Sequence, residues 1–238
     1  MKVHLLYDVE TNVPAFYRVT KASVNDAKAM QDIPYEAGAY YIFDRGYNSF
    51  AQLFRINNLE SFFVVRARSD LQYKVIRWKR RLPSNVLSDS VIQLTGDVSR
   101  SKYPANFRLV KYHDDEMNRD LTFLTNAFSP TSLEIANLYK NRWQVELFFK
   151  WLKQHLKIKK FWGTTENAVR IQIAAAITAY CLVAIIQQEL KTSRSTYEML
   201  QILSVSLMDK PPLKDLFEKS EPSNDYSNGT PFLQGFDF

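Results

Sequence analysis

Tyr139-Lys140-Asn141-Arg142-Trp143-Gln144-Val145-Glu146-Leu147-Phe148-Phe149-Lys150-Trp151-Leu152-Lys153 is the stretch on which the reading of this chain turns. It lies within Thr131–Leu156, where apolar residues recur at helical intervals after Thr131-Ser132-Leu133-Glu134, a spacing that fits a capping box. At about 100° per residue, Leu138, Val145, Phe149, Leu152 and Leu156 fall between 220° and 280°, a single apolar face. Tyr139, Arg142, Glu146 and Lys153 fall at roughly 0°, −60°, −20° and −40°, a stripe some 60° wide. The polar stripe therefore borders the core face instead of opposing it, which is where the floor of a cleft would lie. On geometry alone it also fits a salt-bridged surface helix, whose pairs are worth about 0.2–0.5 kcal/mol each.

Upstream, Ala39-Tyr40-Tyr41-Ile42-Phe43 is a continuous apolar run ending in Asp44 and followed by Arg45-Gly46. This reads as a buried strand carrying an acid at its C-terminal end. Before it, Val3–Tyr7 and Pro14–Thr20 read as a hairpin, and Ser23-Val24-Asn25-Asp26 as a helix start. After it, a short helix is expected over Ser49–Ile56. Five short β-prone segments then follow: Phe62–Arg68, Tyr73–Trp78, Val91–Leu94, Phe107–Tyr112 and Leu121–Leu124. His113 beside Asp114, Asp115 and Glu116 reads as a polar hairpin tip, with a metal cluster the lesser alternative. Two further helices are expected over Glu166–Leu190 and Ser195–Ser206. The organisation expected is thus a core portion over 1–60, a β-rich basic insertion over 61–128, a helical portion over 129–210 and a loosely packed tail over 211–238.

Composition narrows the function classes. With 238 residues, 46 % hydrophobic and 24 % charged, the chain is long enough for a sizeable core and is neither disordered nor fibrous. One cysteine, Cys181, excludes a disulfide framework and suits a reducing cytoplasm. The longest apolar run, Ile171–Ile186, is shorter than the roughly 20 residues a membrane-spanning helix needs, so a buried core helix and no membrane association are expected. The net charge of +6 is modest, but its distribution is not even. From Phe62 to Tyr112 eleven cations face three acids, interleaved with the aromatics Tyr73, Trp78 and Tyr103; Lys150, Lys153, Lys157, Lys159 and Lys160 form a second cluster. Such a pattern favours a phosphate backbone with unstacked bases, although a solvated basic surface fits the charge equally well.

The spacing Tyr139-x2-Arg142-x3-Glu146-x6-Lys153 resembles, without departure, the signature of one large group of bacterial insertion-sequence transposases with a DDE catalytic domain. Composition alone would produce it at about one start position in 10⁵. The strand ending in Asp44, continued by Arg45-Gly46-Tyr47, is similar to the family's second catalytic aspartate and its turn. The order of elements over about residues 2–210 resembles the family as well. The resemblance implies an α/β, ribonuclease-H-like fold: a mixed sheet with flanking helices and a β-rich insertion before the helix that bears the catalytic glutamate. It implies two divalent ions, Mg²⁺ with Mn²⁺ able to substitute, held by acids that include Asp44 and Glu146. It further implies that Tyr139, Arg142 and Lys153 grip phosphates of the transposon end. Trp78 would fill the gap left by a flipped base, with Trp143 and Trp151 as packing residues. The partners implied are double-stranded DNA (terminal inverted repeats and target DNA) and a second copy of the chain on paired ends, acting in the cytoplasm at the nucleoid.

One element of the pattern has no counterpart. In the family the first catalytic aspartate lies on the strand before the Lys-x-His strand, and here Lys2-Val3-His4 already matches that second strand. The missing acid is therefore expected upstream of Met1, with Asp8 the alternative near the start. The chain then corresponds to an incomplete copy, active only if another ligand substitutes. The rival readings are a DNA-binding remnant without chemistry and a nuclease of another role on the same fold.

Overall fold

The computed structural model describes residues 1–156, 162–206 and 212–218. Lys157, Lys159 and Lys160 of the second basic cluster, and the tail beyond residue 218, lie outside the described residues. The chain divides into two compact units, Met1–Thr178 and Ala179–Phe238.

The first unit begins with an antiparallel hairpin, β1 (Lys2–Asp8) and β2 (Val13–Thr20), which forms a two-stranded sheet of its own. Asp8 ends β1 and closes the turn, accepting from the Glu10 amide at 2.9 Å and the Thr11 hydroxyl at 2.6 Å. Asn25 then caps a single helical turn, α1 (Asp26–Ala29), by accepting from the Ala27 amide. The chain passes through β3 (Tyr40–Phe43), a 3₁₀ turn over Arg45–Tyr47, and α2 (Phe50–Asn58). Next come β4 (Phe62–Arg66), β5 (Tyr73–Trp78), β6 (Val86–Leu94), the short helix α3 (Asp97–Lys102), β7 (Phe107–Asp114) and β8 (Arg119–Thr125). Helices α4 (Ser132–Lys140), α5 (Trp143–His155) and α6 (Glu166–Leu190) follow, and α6 runs into the second unit.

β3 to β8 form one six-stranded mixed sheet in the order β3-β4-β8-β7-β6-β5, with β3 and β4 parallel and the rest antiparallel. The segment expected as an insertion therefore continues, strand by strand, the sheet that starts at β3. This mixed α/β architecture is consistent with the ribonuclease-H-like expectation. β4 reads as an apolar run because both faces of the sheet are covered there. Phe63 and Val65 of β4 pack with Leu53 and Ile56 of α2 on one face, whereas Val64 points the other way, towards Ile135 and Ala136 of α4. β7 and β8 alternate likewise, Leu109 and Leu124 joining the α2 side and Val110 and Phe123 the α4 side.

Several expectations are corrected. Tyr103, grouped with the base-stacking aromatics, is fully buried and stacks on Phe107 with ring centroids 3.8 Å apart. Arg108, counted with the surface cations, is 4 % exposed and forms a two-pronged pair with Asp89 at 3.0 and 2.7 Å. Asp89 also accepts from the Ser132 hydroxyl at 2.7 Å, so β6, β7 and the first turn of α4 meet at one buried carboxylate. Trp143 is 51 % exposed and is not a packing residue. The polar hairpin end expected at His113, by contrast, is what forms: His113 pairs with Asp120 across β7 and β8 at 2.7 Å.

The segment Thr131–Leu156 is two helices, not one. Around Asn141 the hydrogen bonds contract to the i→i−3 pattern, the Asn141, Arg142, Gln144 and Val145 amides reaching Leu138, Tyr139, Asn141 and Arg142. The two helices serve different partners. Tyr139 of α4 packs on Phe123 of the sheet at 4.6 Å, while Phe148 of α5 packs on Tyr7 of the hairpin at 5.5 Å.

Helix α6 is less buried than expected: Ile171, Leu182 and Ile185 are all exposed. Among the described residues it is the one helix long and apolar enough to cross a bilayer. In the second unit, α7 (Thr196–Ser206) and α8 (Leu213–Glu218) enclose a small core of Val183, Met199 and Phe217.

Candidate functional site

Asp44 follows the last residue of β3, at the C-terminal end of the parallel pair β3–β4. Its carboxylate caps the 3₁₀ turn by accepting from the Arg45 amide at 2.8 Å and receives a second bond from the Tyr139 hydroxyl at 3.3 Å. Burial, followed by the Asp44 charge, pushes the Tyr139 phenol above its usual range, so it stays protonated and donates. Arg142, in the tightened link between α4 and α5, donates to Glu146 at 2.7 Å and lies 5.8 Å over the Tyr139 ring. Burial opposes the charge of Arg142, but the Glu146 bond and the fields of Tyr139, Asp44 and Glu146 outweigh it and raise its pKa. Arg142 thus answers to both carboxylates. Its Nη1 is engaged while its Nε is buried without a hydrogen bond.

Three of the four stripe residues are brought together with Asp44. The fourth, Lys153, is exposed on the same side of α5 as Glu146, two turns or about 10 Å further along. There it lines a groove of about 600 Å³ with Val3, Lys21, Phe149 and Leu152. Trp78 is not brought to Asp44. It is 60 % exposed on β5, the strand at the opposite edge of the sheet from β3, about 24 Å away at ordinary strand spacing.

A cation at the same site escaped the sequence reading. Phe43 pairs with Val65, so Arg66 at the end of β4 stands beside Asp44 at the end of β3, and its charge reaches the Tyr139 hydroxyl. The signal was a basic residue closing an apolar run, just as Asp44 closes its own.

No third acid joins Asp44 and Glu146: among the described residues no three His, Cys, Asp or Glu side chains group closely enough to hold a metal ion. Asp8 is engaged in its own turn. Carboxylate oxygens are the donors a hard Mg²⁺ takes, but two acids do not furnish the three-acid set expected for two ions.

Residues 1–182 match the transposase DDE domain. The chain belongs to this family. Among its relatives, a putative transposase (y4zB) of Sinorhizobium fredii is 40 % identical over 192 residues, covering 78 % of this chain and 53 % of the relative. A probable transposase for insertion sequence element IS5377 of Geobacillus stearothermophilus is 31 % identical over 207 residues, covering 86 % and 53 %. A putative transposase for insertion sequence element IS4SA of Synechocystis is 29 % identical over 174 residues, covering 71 % and 47 %. The chain spans about half the length of the curated relatives it matches. The family's domain match ends in α6, so it includes both carboxylates, the stripe and the whole six-stranded sheet.

Proposed function

We propose that this DDE-family chain forms catalytic machinery of an insertion-sequence transposase, which cleaves and joins phosphodiester bonds at transposon ends. The observation that carries the reading is the Tyr139–Asp44 bond beside the Arg142–Glu146 pair, which links two acids 102 positions apart through the contact of Arg142 with the Tyr139 ring.

Asp44 and Glu146 would hold a divalent cation, Mg²⁺ or in its place Mn²⁺. When bound, such an ion supplies Lewis acidity that activates the attacking oxygen and stabilises the leaving one. The chain's own residues do the rest. Tyr139 holds the Asp44 carboxylate through its hydroxyl. Arg142 offers a planar fork to a phosphate, with Nε still unused, while Arg66 adds a second fork and Lys153 a point charge. Residues 1–60 and 129–210 then serve as the core, and the basic segment 61–128 tracks DNA through Lys74, Arg77, Lys79, Arg80 and Arg81, all exposed. Terminal inverted repeats and target DNA are the proposed partners, with a second copy of the chain on the paired end.

A second reading is favoured by the lack of a third acid among the described residues: a remnant that binds DNA without cutting it. Nicking of supercoiled plasmid in Mn²⁺ separates the two. Metal-dependent nicking by the wild-type chain that is lost in Glu146→Ala supports the transposase. Salt-sensitive binding with no nicking, unchanged by Glu146→Ala, supports the remnant.

A further inference from the structure

Asp44 is exposed at the end of an edge strand, so its aim depends on the turn that follows it. That turn is closed by the Tyr47 amide bonding the Asp44 carbonyl at 3.0 Å, and Tyr47 stacks back on Phe43 with ring centroids 6.0 Å apart. What holds the turn from outside is the first hairpin. His4 of β1, 4 % exposed, meets the Tyr47 hydroxyl with Nδ1 at 3.0 Å and the Thr20 hydroxyl with Nε2 at 3.0 Å. Its ring stands edge-on to that of Tyr47 at 89°. Beside it, Asp26 is anchored by Lys2 at 2.8 Å and packs so tightly on Gly46 that a Cβ there would come within 2.7 Å of Asp26 Oδ2.

Two residues of the Asp44 turn, Gly46 and Tyr47, are thus held by groups from α1 and β1, with Thr20 of β2 behind His4. An apolar side chain at position 4 would fill the same space without the cost of burying two ring nitrogens. The polar choice supplies direction: both nitrogens are bonded, and each bond sets the rotation of what it touches. Burial holds His4 below its usual pKa and pushes the Tyr47 phenol up to about 12, so both remain neutral near pH 7.

We propose that His4, acting through Tyr47 and alongside Asp26, is a positioning residue that fixes the orientation of the Asp44 carboxylate for metal binding. The inference rests on the reading of Asp44 as a metal ligand. Outer partners that orient a ligand typically change metal affinity by about 10–100-fold.

The test is a Mn²⁺ titration of the full chain, followed by the free-ion electron paramagnetic resonance signal, with thermal unfolding measured on the same samples. Asparagine places its amide nitrogen where Nδ1 stands, and glutamine where Nε2 stands. His4→Asn keeps the bond to Tyr47 and loses that to Thr20; His4→Gln does the reverse. The expected result is near wild-type Mn²⁺ affinity in His4→Asn and about tenfold weaker binding in His4→Gln and in Tyr47→Phe. The split should appear even where the two His4 variants unfold at similar temperatures. Equal losses in the two His4 variants that follow stability, or unchanged affinity in Tyr47→Phe, overturn the inference. Tyr47→Phe decides alone if the His4 variants do not fold. Asp44→Asn is the separate control: if it leaves Mn²⁺ binding intact, the ligand reading itself is wrong and the positioning role falls with it.

Discussion

Tyr139 Oη donates to Asp44 Oδ1 at 3.3 Å across 95 positions of sequence, so the helix before Glu146 and the strand before Asp44 are joined at the point where their chemistry is needed. The ring of Tyr139 is buried against Phe123 while its hydroxyl reaches Asp44, so packing and polar contact can be separated. Tyr139→Phe should retain the fold and lose about 0.5–1.5 kcal/mol in urea unfolding, the ordinary worth of one hydrogen bond. Tyr139→Ala should lose about 3–5 kcal/mol, because the core contact goes as well.

The Asp89–Arg108–Ser132 cluster predicts how the first unit responds to acid. Burial alone would raise the Asp89 pKa, but the Arg108 and Ser132 bonds outweigh it and hold the carboxyl below its ordinary 3.8. A depressed pKa contributes stability that is complete above the unfolded-state value and is lost as pH falls through the folded-state value. Asp89→Asn should therefore destabilise the chain by about 3–5 kcal/mol near neutral pH, since it leaves a buried guanidinium uncompensated. The deficit should start to shrink as pH falls past the unfolded-state value, where the unfolded chain takes up the proton first, and should vanish once pH passes below the depressed folded-state value. Urea midpoints of wild type and variant from pH 7 to pH 3 check both the size and the sign.

Lys74, Arg77 and Arg80 are exposed on and just after β5, and no ion pair engages them among the described residues. If this edge tracks DNA, replacing the three with Ala should reduce the salt dependence of binding by about 0.9 in log–log slope for each phosphate contact removed. Fluorescence anisotropy on duplex DNA at several salt concentrations measures it. Asp70, Arg68 and Arg108 are already paired, so Arg68→Ala should change the slope much less.

Gly46→Ala tests the packing of the Asp44 turn directly. The added methyl meets Asp26 Oδ2 at 2.7 Å, and Asp26 is tied to Lys2, so either that ion pair or the turn must move. A loss of up to about 1 kcal/mol in chemical unfolding is expected, because the group in the way is the end of a partly exposed side chain.

The legible parts of the molecule were those that local pattern controls. Asp44 could be placed at a strand end because a β-prone apolar run stops abruptly at an acid followed by Arg-Gly, and the Thr131 capping box forms as its spacing required. The break at Asn141 was not legible, since no proline or glycine marks it; it falls between Tyr139, which packs on Phe123 of the six-stranded sheet, and Phe148, which packs on Tyr7 of the hairpin. Arg108 looked like any other cation because nothing local reveals that Asp89 stands beside it across two strands. Tyr103, flanked by Lys102 and Pro104, looked exposed for the same reason. Helix α3 was missed because six polar-rich residues carry no apolar period. Arg66 became visible as a site residue only when the register of β3 and β4 set it beside Asp44.

The central claim is that Asp44 and Glu146 share one metal ion, and a double-mutant cycle on Mn²⁺ affinity tests it most directly. Asp44→Asn and Glu146→Gln should each weaken binding strongly, and the double variant should bind little worse than either alone, because one lost ligand already empties the shared site. Additive losses, or a variant that binds Mn²⁺ like the wild type, would contradict the account.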